Sequence, residues 1–397
     1  MGQSERERIV ITGLGCVSAL GDTPSETFER ICNGESGIRE LDFLLDVKYR
    51  YRFGGFVADE AYCNSDNKAL EMTRKSVLDA LNQAGLSNIS KLEREQRERI
   101  GFFTGTLCGM NNFPFQVSDN TFLNGETNAD LEDCLYDELN LLGSKYILTD
   151  ACCTSLNLLH YGFDHLLLGK SDIVVCVATE LLTDYLQCTL GQLRALSKSS
   201  IKPFDKARNG TVLGEGSATI VMETLEHAKK RNACILAEVG SIALGCEASD
   251  MAAPEQSGKD MCDVMRRAIV ESNVSLEDVQ YINAHGTATK INDSAESKAI
   301  NMLFQENAKN VFVSSTKSSI GHMCAAAGLA ESVICVMALL KNQMPPTICT
   351  DQVDEICQFP VVLEKGMDKE LDVILTNSFG FGGNNASMVL KKISTGE

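Results

Sequence analysis

The sequence predicts an α/β fold in which a largely parallel sheet is layered with helices. Short apolar runs at residues 100–104, 173–177 and 218–222 have the length and β-branched content of buried strands. Helical patterns separate such runs, as at residues 68–84 and 155–169. Strands that alternate with helices are typical of α/β layers.

The N-terminal half begins with a buried strand at residues 8–15 that ends in a glycine turn. A helix is predicted to start next, because Thr23 suits its cap, Pro24 its first position and Glu26 the third position after the cap. The strand and the helix form the first unit of the predicted fold.

The second half resembles the first in outline. Its predicted elements are a strand at 233–240, a helix at about 258–272, and strands at 279–283, 311–314 and 373–377. No linker rich in proline, glycine or serine marks the boundary near residues 225–232. We therefore predict a pseudo-duplication in which residues 1–228 and 229–397 form two halves that share one core.

Composition and charge argue against several classes of protein. The chain of 397 residues has 44% hydrophobic and 23% charged residues, which is ordinary for a globular protein. A formal net charge of −18 disfavours nucleic-acid binding, since phosphate contacts need a basic surface. The sequence has no uninterrupted apolar run of about 18 residues, so no membrane span is expected.

The cysteine pattern favours reduced thiols and a cytoplasmic location. Sixteen cysteines are scattered through apolar segments, and the polar N-terminus has no apolar signal region. Zinc is not expected, because Cys152 and Cys153 have no spacer and no C-x-x-C pair lies near suitably spaced histidines. Partial nucleotide motifs lack the glycines that phosphate binding needs.

Two adjacent cysteines stand where a predicted strand passes into a helix, in Asp150-Ala151-Cys152-Cys153-Thr154-Ser155. Any one of sixteen cysteines is by default a buried structural residue. A helix N-terminus, however, favours thiolate over thiol, which suits a nucleophile. Cys153 is the first candidate and Cys152 its rival, and their spacing alone does not choose between them.

Two of the five histidines differ from the others in their surroundings. His285 and His322 each follow a predicted strand end and sit beside glycine, whereas the other three lie on or near helical patterns. Lys317 lies between a strand end and a helix, where it could hold a carboxylate or keep the local field positive. These residues are candidates for a shared site.

One thiol and two imidazoles suit covalent acyl chemistry. The sulfur can carry an acyl group as a thioester. A second substrate can lose CO2 and become an enolate, whose oxygen accepts hydrogen bonds from two neutral imidazoles. Backbone N–H groups can hold the oxyanion of the acyl-transfer step.

Over nearly its whole length the chain resembles the β-ketoacyl-acyl carrier protein synthases, the condensing enzymes of the thiolase superfamily. The family's A-C-[ST]-S nucleophile motif is matched to Cys153-Thr154-Ser155, which puts Cys152 where the family usually has alanine. The H-G-T-x-T motif is residues 285–289, and the K-x-x-x-x-H motif runs from Lys317 to His322. Residues 203–210 resemble a segment typical of the elongating enzymes.

The resemblance implies a catalytic set. Cys153 would hold the acyl chain, and His285 and His322 would drive decarboxylation of a malonyl thioester. Lys317 and Glu331, nine residues beyond His322, match further family positions. The backbone N–H groups of Cys153 and Phe381 would form the oxyanion hole, with Phe381 also as the gating aromatic residue.

The resemblance also implies how substrate binds. Thr287 and Thr289 would hydrogen-bond the pantetheine arm, and Phe379 would lie at the site. Cys108 falls where fatty-acid enzymes often place an apolar residue of the acyl pocket. The family implies a five-layered αβαβα fold, a dimer, and no cofactor other than the phosphopantetheine of the acyl carrier protein.

Several features depart from the family's usual pattern. Residues 290–293, Lys-Ile-Asn-Asp, replace a common Pro-x-Gly-Asp and look more like specialised type II polyketide or polyene enzymes. Residues 68–75 include an acidic residue where basic residues often dock the carrier protein. Docking could instead use a local basic patch formed by Lys198, Lys202, Lys206 and Arg208.

Alternatives to a self-sufficient elongating synthase are a ketosynthase that works only as a heterodimer with a chain-length factor, and a non-catalytic chain-length factor. The second alternative predicts loss of the nucleophile, and Cys153 argues against it. A thiolase would carry another cysteine in the C-terminal glycine turn, but residues 379–385 contain none. An initiating synthase of Cys-His-Asn type would lack His322.

Overall fold

The computed structural model describes residues 7–41, 50–65, 67–107 and 128–393, with the side chains of 128–132 excepted. The strands are β1 (Ile9–Val17), β2 (Ile38–Glu40), β3 (Phe53–Gly55), β4 (Ile100–Gly105), β5 (Lys145–Leu148), β6 (Ile173–Glu180), β7 (Gly216–Thr224), β8 (Ala237–Cys246), β9 (Tyr281–Asn283), β10 (Phe312–Ser314), β11 (Gln343–Met344), β12 (Met367–Asp368), β13 (Val373–Phe379) and β14 (Asn384–Lys391). The α-helices are α1 (Pro24–Cys32), α2 (Glu60–Cys63), α3 (Lys68–Gln83), α4 (Arg94–Arg97), α5 (Asn128–Glu138), α6 (Thr154–Leu167), α7 (Asp184–Gln192), α8 (Leu225–Lys230), α9 (Lys259–Glu271), α10 (Lys290–Phe304), α11 (Lys317–Ile320) and α12 (Ala327–Lys341). The predicted helix start is confirmed, since the Thr23 side chain accepts a hydrogen bond from the Glu26 N–H.

A continuous ten-stranded sheet has the order β10-β9-β13-β14-β8-β1-β7-β6-β4-β5. Each half supplies five of these strands, and within each half the chain visits them in the same spatial order. β1 and β8 join the halves through the pairs Ile9↔Val239, Val10↔Glu238 and Ile11↔Ala237. This repeat confirms the predicted pseudo-duplication, while the boundary at residue 228 stays a prediction.

The sheet is mixed, which corrects the expectation of a largely parallel one. β4 pairs in parallel with β5 and β6, and β9 with β10 and β13. The five pairings in the middle of the sheet are antiparallel. Apolar periodicity identifies buried strands but carries no information about the direction of their neighbours, so the sequence pattern could not distinguish the two arrangements.

Helices complete five layers. α3 covers β1 and β7 on one outside face, and α9 covers β8 and β14 on the other, with α10 packed against α9. α6 and α12 contact each other and lie between the two halves of the sheet. The structure thus confirms the αβαβα arrangement.

The central helix α12 is buried over its whole first three turns, from Ala327 to Leu339. The segment Cys324–Lys341 is long and apolar enough to cross a membrane, yet 89% of it is buried inside the protein. A helix that is buried on all sides and mostly apolar is what a central layer between two sheets requires, and Glu331 is the ionisable exception within its buried turns.

Candidate active site

The turn between β5 and α6 presents the two cysteines. Ala151 lies in the left-handed region with φ of 44°, which sharply redirects the chain before the helix. Cys153 is the N-cap of α6, and its N–H donates to the Asp150 carbonyl oxygen at 3.0 Å. Side chains of successive residues therefore leave this turn in different directions.

Cys152 is the cysteine that faces the two histidines. Its Sγ lies 3.1 Å from Nε2 of His322. One donor atom each from Cys152, His285 and His322 lie within 4.8 Å of one another. The two imidazole rings stand nearly perpendicular, with centroids 5.4 Å apart. Residues from three distant parts of the chain thus share one pocket.

Cys153 points elsewhere, which corrects the expectation that its thiol lies with the histidines. Its Sγ contacts the carbonyl oxygens of Ser378 at 3.2 Å and Asn384 at 3.0 Å, and the residue is only 1% exposed. The reason is local geometry, because neighbouring positions at a helix start are about 100° apart around the axis. The sequence contained the correct signal: Ala151-Cys152 matches the family's Ala-Cys pair, with Cys153 at its third position.

The glycine turn after β13 supplies a backbone donor. The N–H of Phe381 is directed at the Cys152 sulfur. A Cβ at Gly380 would stand 3.3 Å from both the Cys152 nitrogen and the Cys153 sulfur, so this turn is closely packed on the cysteines. The Cys153 N–H, one half of the expected oxyanion hole, is instead bonded to Asp150. That expectation is therefore corrected as well.

Burial sets the resting protonation of the site. It raises the pKa of the Cys152 thiol to about 12, with Lys317 opposing this rise. Burial and then the Lys317 charge hold the pKa of His285 and His322 well below 6.5. The expected helix stabilisation of a thiolate is outweighed by desolvation, and the resting site contains a neutral thiol and two neutral imidazoles.

Lys317 and Glu331 form a buried ion pair beside this group. Lys317 Nζ donates to Glu331 Oε1, and neither side chain is more than 2% exposed. Burial raises the pKa of Glu331 to about 6, with the lysine opposing the rise. Lys317 therefore holds a carboxylate, as one of its two predicted roles required, and that carboxylate belongs to Glu331.

Glu331→Gln is expected to lower the free energy of unfolding by about 3–5 kcal/mol, because it leaves the Lys317 charge buried without its counter-ion. Urea denaturation measures this loss. Glu98→Gln is the matched control, since it breaks the exposed Arg94–Glu98 pair of 2.8 Å, and such a pair contributes less than about 1 kcal/mol. Equal losses in the two variants would contradict the account.

Glu296 is a buried residue beside the site that the sequence analysis did not predict. This buried carboxylate accepts the N–H groups of His285 and Gly286, each at 2.8 Å, and the Asn377 side-chain amide at 3.3 Å. Burial raises its pKa to about 7. By holding the backbone at His285, Glu296 orients the imidazole. An acidic residue three positions after Asp293, on the same face of α10, was the available signal.

The structure describes three of the four residues that were predicted to bind substrate. Phe379 packs edge-on against His285, with ring centroids 6.1 Å apart. The hydroxyls of Thr287 and Thr289 lie 3.0 Å apart, and Thr289 also caps α10. The two threonines come two and four residues after His285 in the chain. Cys108 falls in a segment outside the described residues.

Comparison with known proteins agrees with this geometry. Residues 6–228 match the family model "Beta-ketoacyl synthase, N-terminal domain", and residues 236–351 match "Beta-ketoacyl synthase, C-terminal domain". The chain is 31% identical to 3-oxoacyl-[acyl-carrier-protein] synthase 2 of Coxiella burnetii over 98% of its own length and 99% of the relative's. It is 32% identical to the chloroplastic synthase I of Arabidopsis thaliana, covering 96% of this chain and 86% of that one.

Solved structures of ketosynthases also have the same fold as this chain. The ishigamide ketosynthase/chain length factor has a TM-score of 0.90 at 26% identity, covering 98% of this chain and all of that one. The AntDE:AntF complex, a type II polyketide carrier protein with its ketosynthase, has a TM-score of 0.87 at 25% identity, with the same coverage of this chain. The chain therefore belongs to the β-ketoacyl synthase family and is a condensing acyltransferase.

Proposed function

We propose that the protein is a β-ketoacyl-acyl carrier protein synthase that condenses an acyl thioester held on Cys152 with a malonyl-carrier protein. The observation that supports this most strongly is the contact of the Cys152 sulfur with His322 at 3.1 Å, with His285 in the same pocket. The pathway is fatty-acid or type II polyketide or polyene biosynthesis. The cytoplasmic location stays a prediction.

Acyl loading is the first step. The Cys152 sulfur attacks the carbonyl carbon of the acyl-pantetheine thioester, and the N–H groups of Cys152 and Phe381 stabilise the oxyanion. The tetrahedral intermediate collapses, the carbon–sulfur bond to pantetheine breaks, and the acyl group remains on Cys152. The thiol proton leaves on the pantetheine sulfur, with His322 placed to relay it.

Condensation is the second step. The malonyl thioester loses CO2, and the electron pair of the broken bond forms an enolate. His285 and His322, both neutral, can each donate one N–H to the enolate oxygen. The enolate carbon then attacks the acyl carbonyl on Cys152, the carbon–sulfur bond breaks, and the β-ketoacyl group leaves on the carrier protein. The Cys152 thiolate that remains takes up one proton from solvent, which restores the neutral thiol. Phosphopantetheine is the substrate's own carrier, and no further cofactor is needed.

The direct test is an incubation of the purified protein with an acyl-carrier protein and malonyl-carrier protein. We expect release of CO2 and a carrier-bound product longer by two carbons with a β-keto group. Acyl loading that is never followed by extension would contradict the proposal, unless extension appears when a co-expressed partner subunit is added. That second outcome would support the heterodimer with a chain-length factor.

The decarboxylation step is expected to keep its rate as the pH falls from about 8 to 6, because both imidazoles have a pKa well below 6.5 and stay neutral through that range. The rate should fall only at lower pH, where the imidazoles become charged and lose their role as neutral donors. Release of CO2 from malonyl-CoA at a series of pH values measures this. A loss with a midpoint at or above about 6.5 would contradict it.

We propose that a partner subunit, most simply a second copy, pairs along β5. This strand ends the sheet, and Tyr146 and Ile147 on it are 50% and 41% exposed. The neighbouring helix α6 carries the exposed Tyr161, and the strand and helix are linked by the edge-on contact of Tyr146 with His165. An open strand edge with large apolar side chains is a surface that sheet pairing would cover.

The proposed docking patch for the carrier protein is electrically neutralised. Lys202 pairs with Asp351, Lys206 with Glu355, and Arg208 with Asp354, each at 2.6 Å. Asp351 and Glu355 are also far more exposed than the lysines they pair with. An acidic carrier protein would therefore meet matched charges here, and of the four expected basic residues Lys198 alone has no ion pair among the described residues.

Asp351→Asn combined with Glu355→Gln should raise kcat/KM for an acidic carrier protein about three- to tenfold at low salt, because Lys202 and Lys206 lose their partners. Steady-state rates at two ionic strengths measure the gain, which salt should reduce. Glu98→Gln changes the charge by one unit at the C-cap of α4, where Glu98 pairs with Arg94 and not with Lys202 or Lys206, and should leave kcat/KM unchanged. A loss of kcat/KM in the double variant would show that the carrier uses the carboxylates instead.

A further inference from the structure

We infer that the Cys152–His285–His322 group is also a binding site for Zn²⁺, and that this ion is a reversible inhibitor of the protein. No pair of these residues has the close spacing of a zinc motif, which is why no metal was expected from the sequence. The fold creates the group by bringing the β5–α6 turn against the turns that follow β9 and α11.

The donor atoms have separations that suit tetrahedral zinc. Zinc binds thiolate at about 2.3 Å and imidazole nitrogen at about 2.0–2.1 Å, which places neighbouring donors about 3.3–3.6 Å apart. Here the three donors lie within 4.8 Å of one another, with the sulfur and His322 Nε2 at 3.1 Å. Side-chain movements of about 1 Å would close the set around one ion.

The three donor atoms of Cys152, His285 and His322, one thiolate sulfur and two imidazole nitrogens, favour Zn²⁺ over hard cations such as Mg²⁺. Three protein ligands leave the fourth position for water. Binding releases the thiol proton to solvent and forms a sulfur–zinc bond, with no change of oxidation state. The Lys317 charge nearby would repel a cation, but its pairing with Glu331 offsets that repulsion.

The surroundings indicate reversible binding rather than a permanent metal centre. Nδ1 of His285 and Nδ1 of His322 are buried and have no hydrogen-bond partner among the residues that the structure describes. Ligand histidines in resident zinc sites donate that second nitrogen to a carboxylate or carbonyl, and loss of such support costs about 10–100-fold in affinity. An ion held here occupies the sulfur that acyl loading needs, so zinc and the acyl donor compete.

Two readouts test the site without relying on condensation. Titration of the full-length protein with Co²⁺ should give one equivalent of a thiolate-to-cobalt charge-transfer absorption, lost in Cys152→Ala and kept in Cys153→Ala. Zn²⁺ should slow alkylation of Cys152 by iodoacetamide at least about tenfold, as mapped by peptide mass spectrometry, and EDTA should restore it. Mg²⁺ should do neither.

Charge-transfer absorption that persists in Cys152→Ala would assign binding to another cysteine, such as an exposed one, and would overturn the inference. So would unprotected alkylation of Cys152 at saturating Zn²⁺. The zinc site stands independently of the proposed function, whereas the inhibition rests on it. Because both readouts are independent of turnover, a protein that binds zinc at Cys152 but condenses no substrate would refute the proposed function and leave the zinc site standing.

Discussion

Cys152→Ala is expected to lower the rate of acyl loading by at least about 10³-fold, whereas Cys153→Ala should load at close to the unmodified rate. Cys152 has the sulfur that contacts His322 and receives the Phe381 N–H. The Cys153 sulfur instead contacts the carbonyl oxygens of Ser378 and Asn384 and the Gly380 N–H, and neither histidine is among the contacts described for it. Intact-mass spectrometry after mixing with an acyl-carrier protein measures the loading rate.

Cys153→Ser is a useful companion because its hydroxyl can still donate a hydrogen bond to one of the two carbonyl oxygens, of Ser378 or Asn384. If Cys153→Ala proves unstable, loading by Cys153→Ser still tests the assignment. Normal loading by Cys152→Ala together with loss in both Cys153 variants would return the nucleophile to Cys153 and overturn the proposed site.

His285→Ala is expected to slow decarboxylation of the malonyl thioester by about 10²–10³-fold, since it removes one of the two donors to the enolate oxygen. Acyl loading should fall by less than about tenfold, because it is His322 that lies in contact with the Cys152 sulfur. Release of CO2 and acyl-adduct formation, measured separately on the same variant, give the two rates.

His160→Ala is the control for the different effects of His285→Ala on acyl loading and on decarboxylation. His160 lies on α6, and its Nδ1 bonds the Ile242 carbonyl oxygen at 2.9 Å, outside the active site. Both rates should be unchanged in that variant. An equal loss of loading and decarboxylation in His285→Ala would show that His285 supports the fold of the pocket rather than the enolate.

The elements of the fold could be predicted because each carries its own local signal. The strands at Ile173–Glu180 and Gly216–Thr224 are apolar runs of ordinary strand length, and α3 begins and ends within one residue of its predicted range. Strand direction could not be predicted, since it depends on which distant segments become neighbours. β1 and β7, for example, are nearly two hundred residues apart in the chain.

The residues of the candidate site could likewise be predicted only in part. His285, His322 and Lys317 could be predicted from their places after strand ends, and Glu331 from the family resemblance. The structure brings all four together. The choice between Cys152 and Cys153 depends on one left-handed residue, Ala151, which sets the side of the turn that each thiol faces. No propensity marks an alanine for that conformation, so the direction of each thiol had to come from the structure.

The measurement that tests the account most directly is the location of the acyl adduct on the unmodified protein. After incubation with an acyl-carrier protein, peptide fragmentation distinguishes an acyl group on Cys152 from one on Cys153, and malonyl-carrier protein is then added. We predict an adduct on Cys152 that disappears as a β-ketoacyl product, two carbons longer, forms on the carrier. An adduct on Cys153 that is extended in the same way would contradict the account.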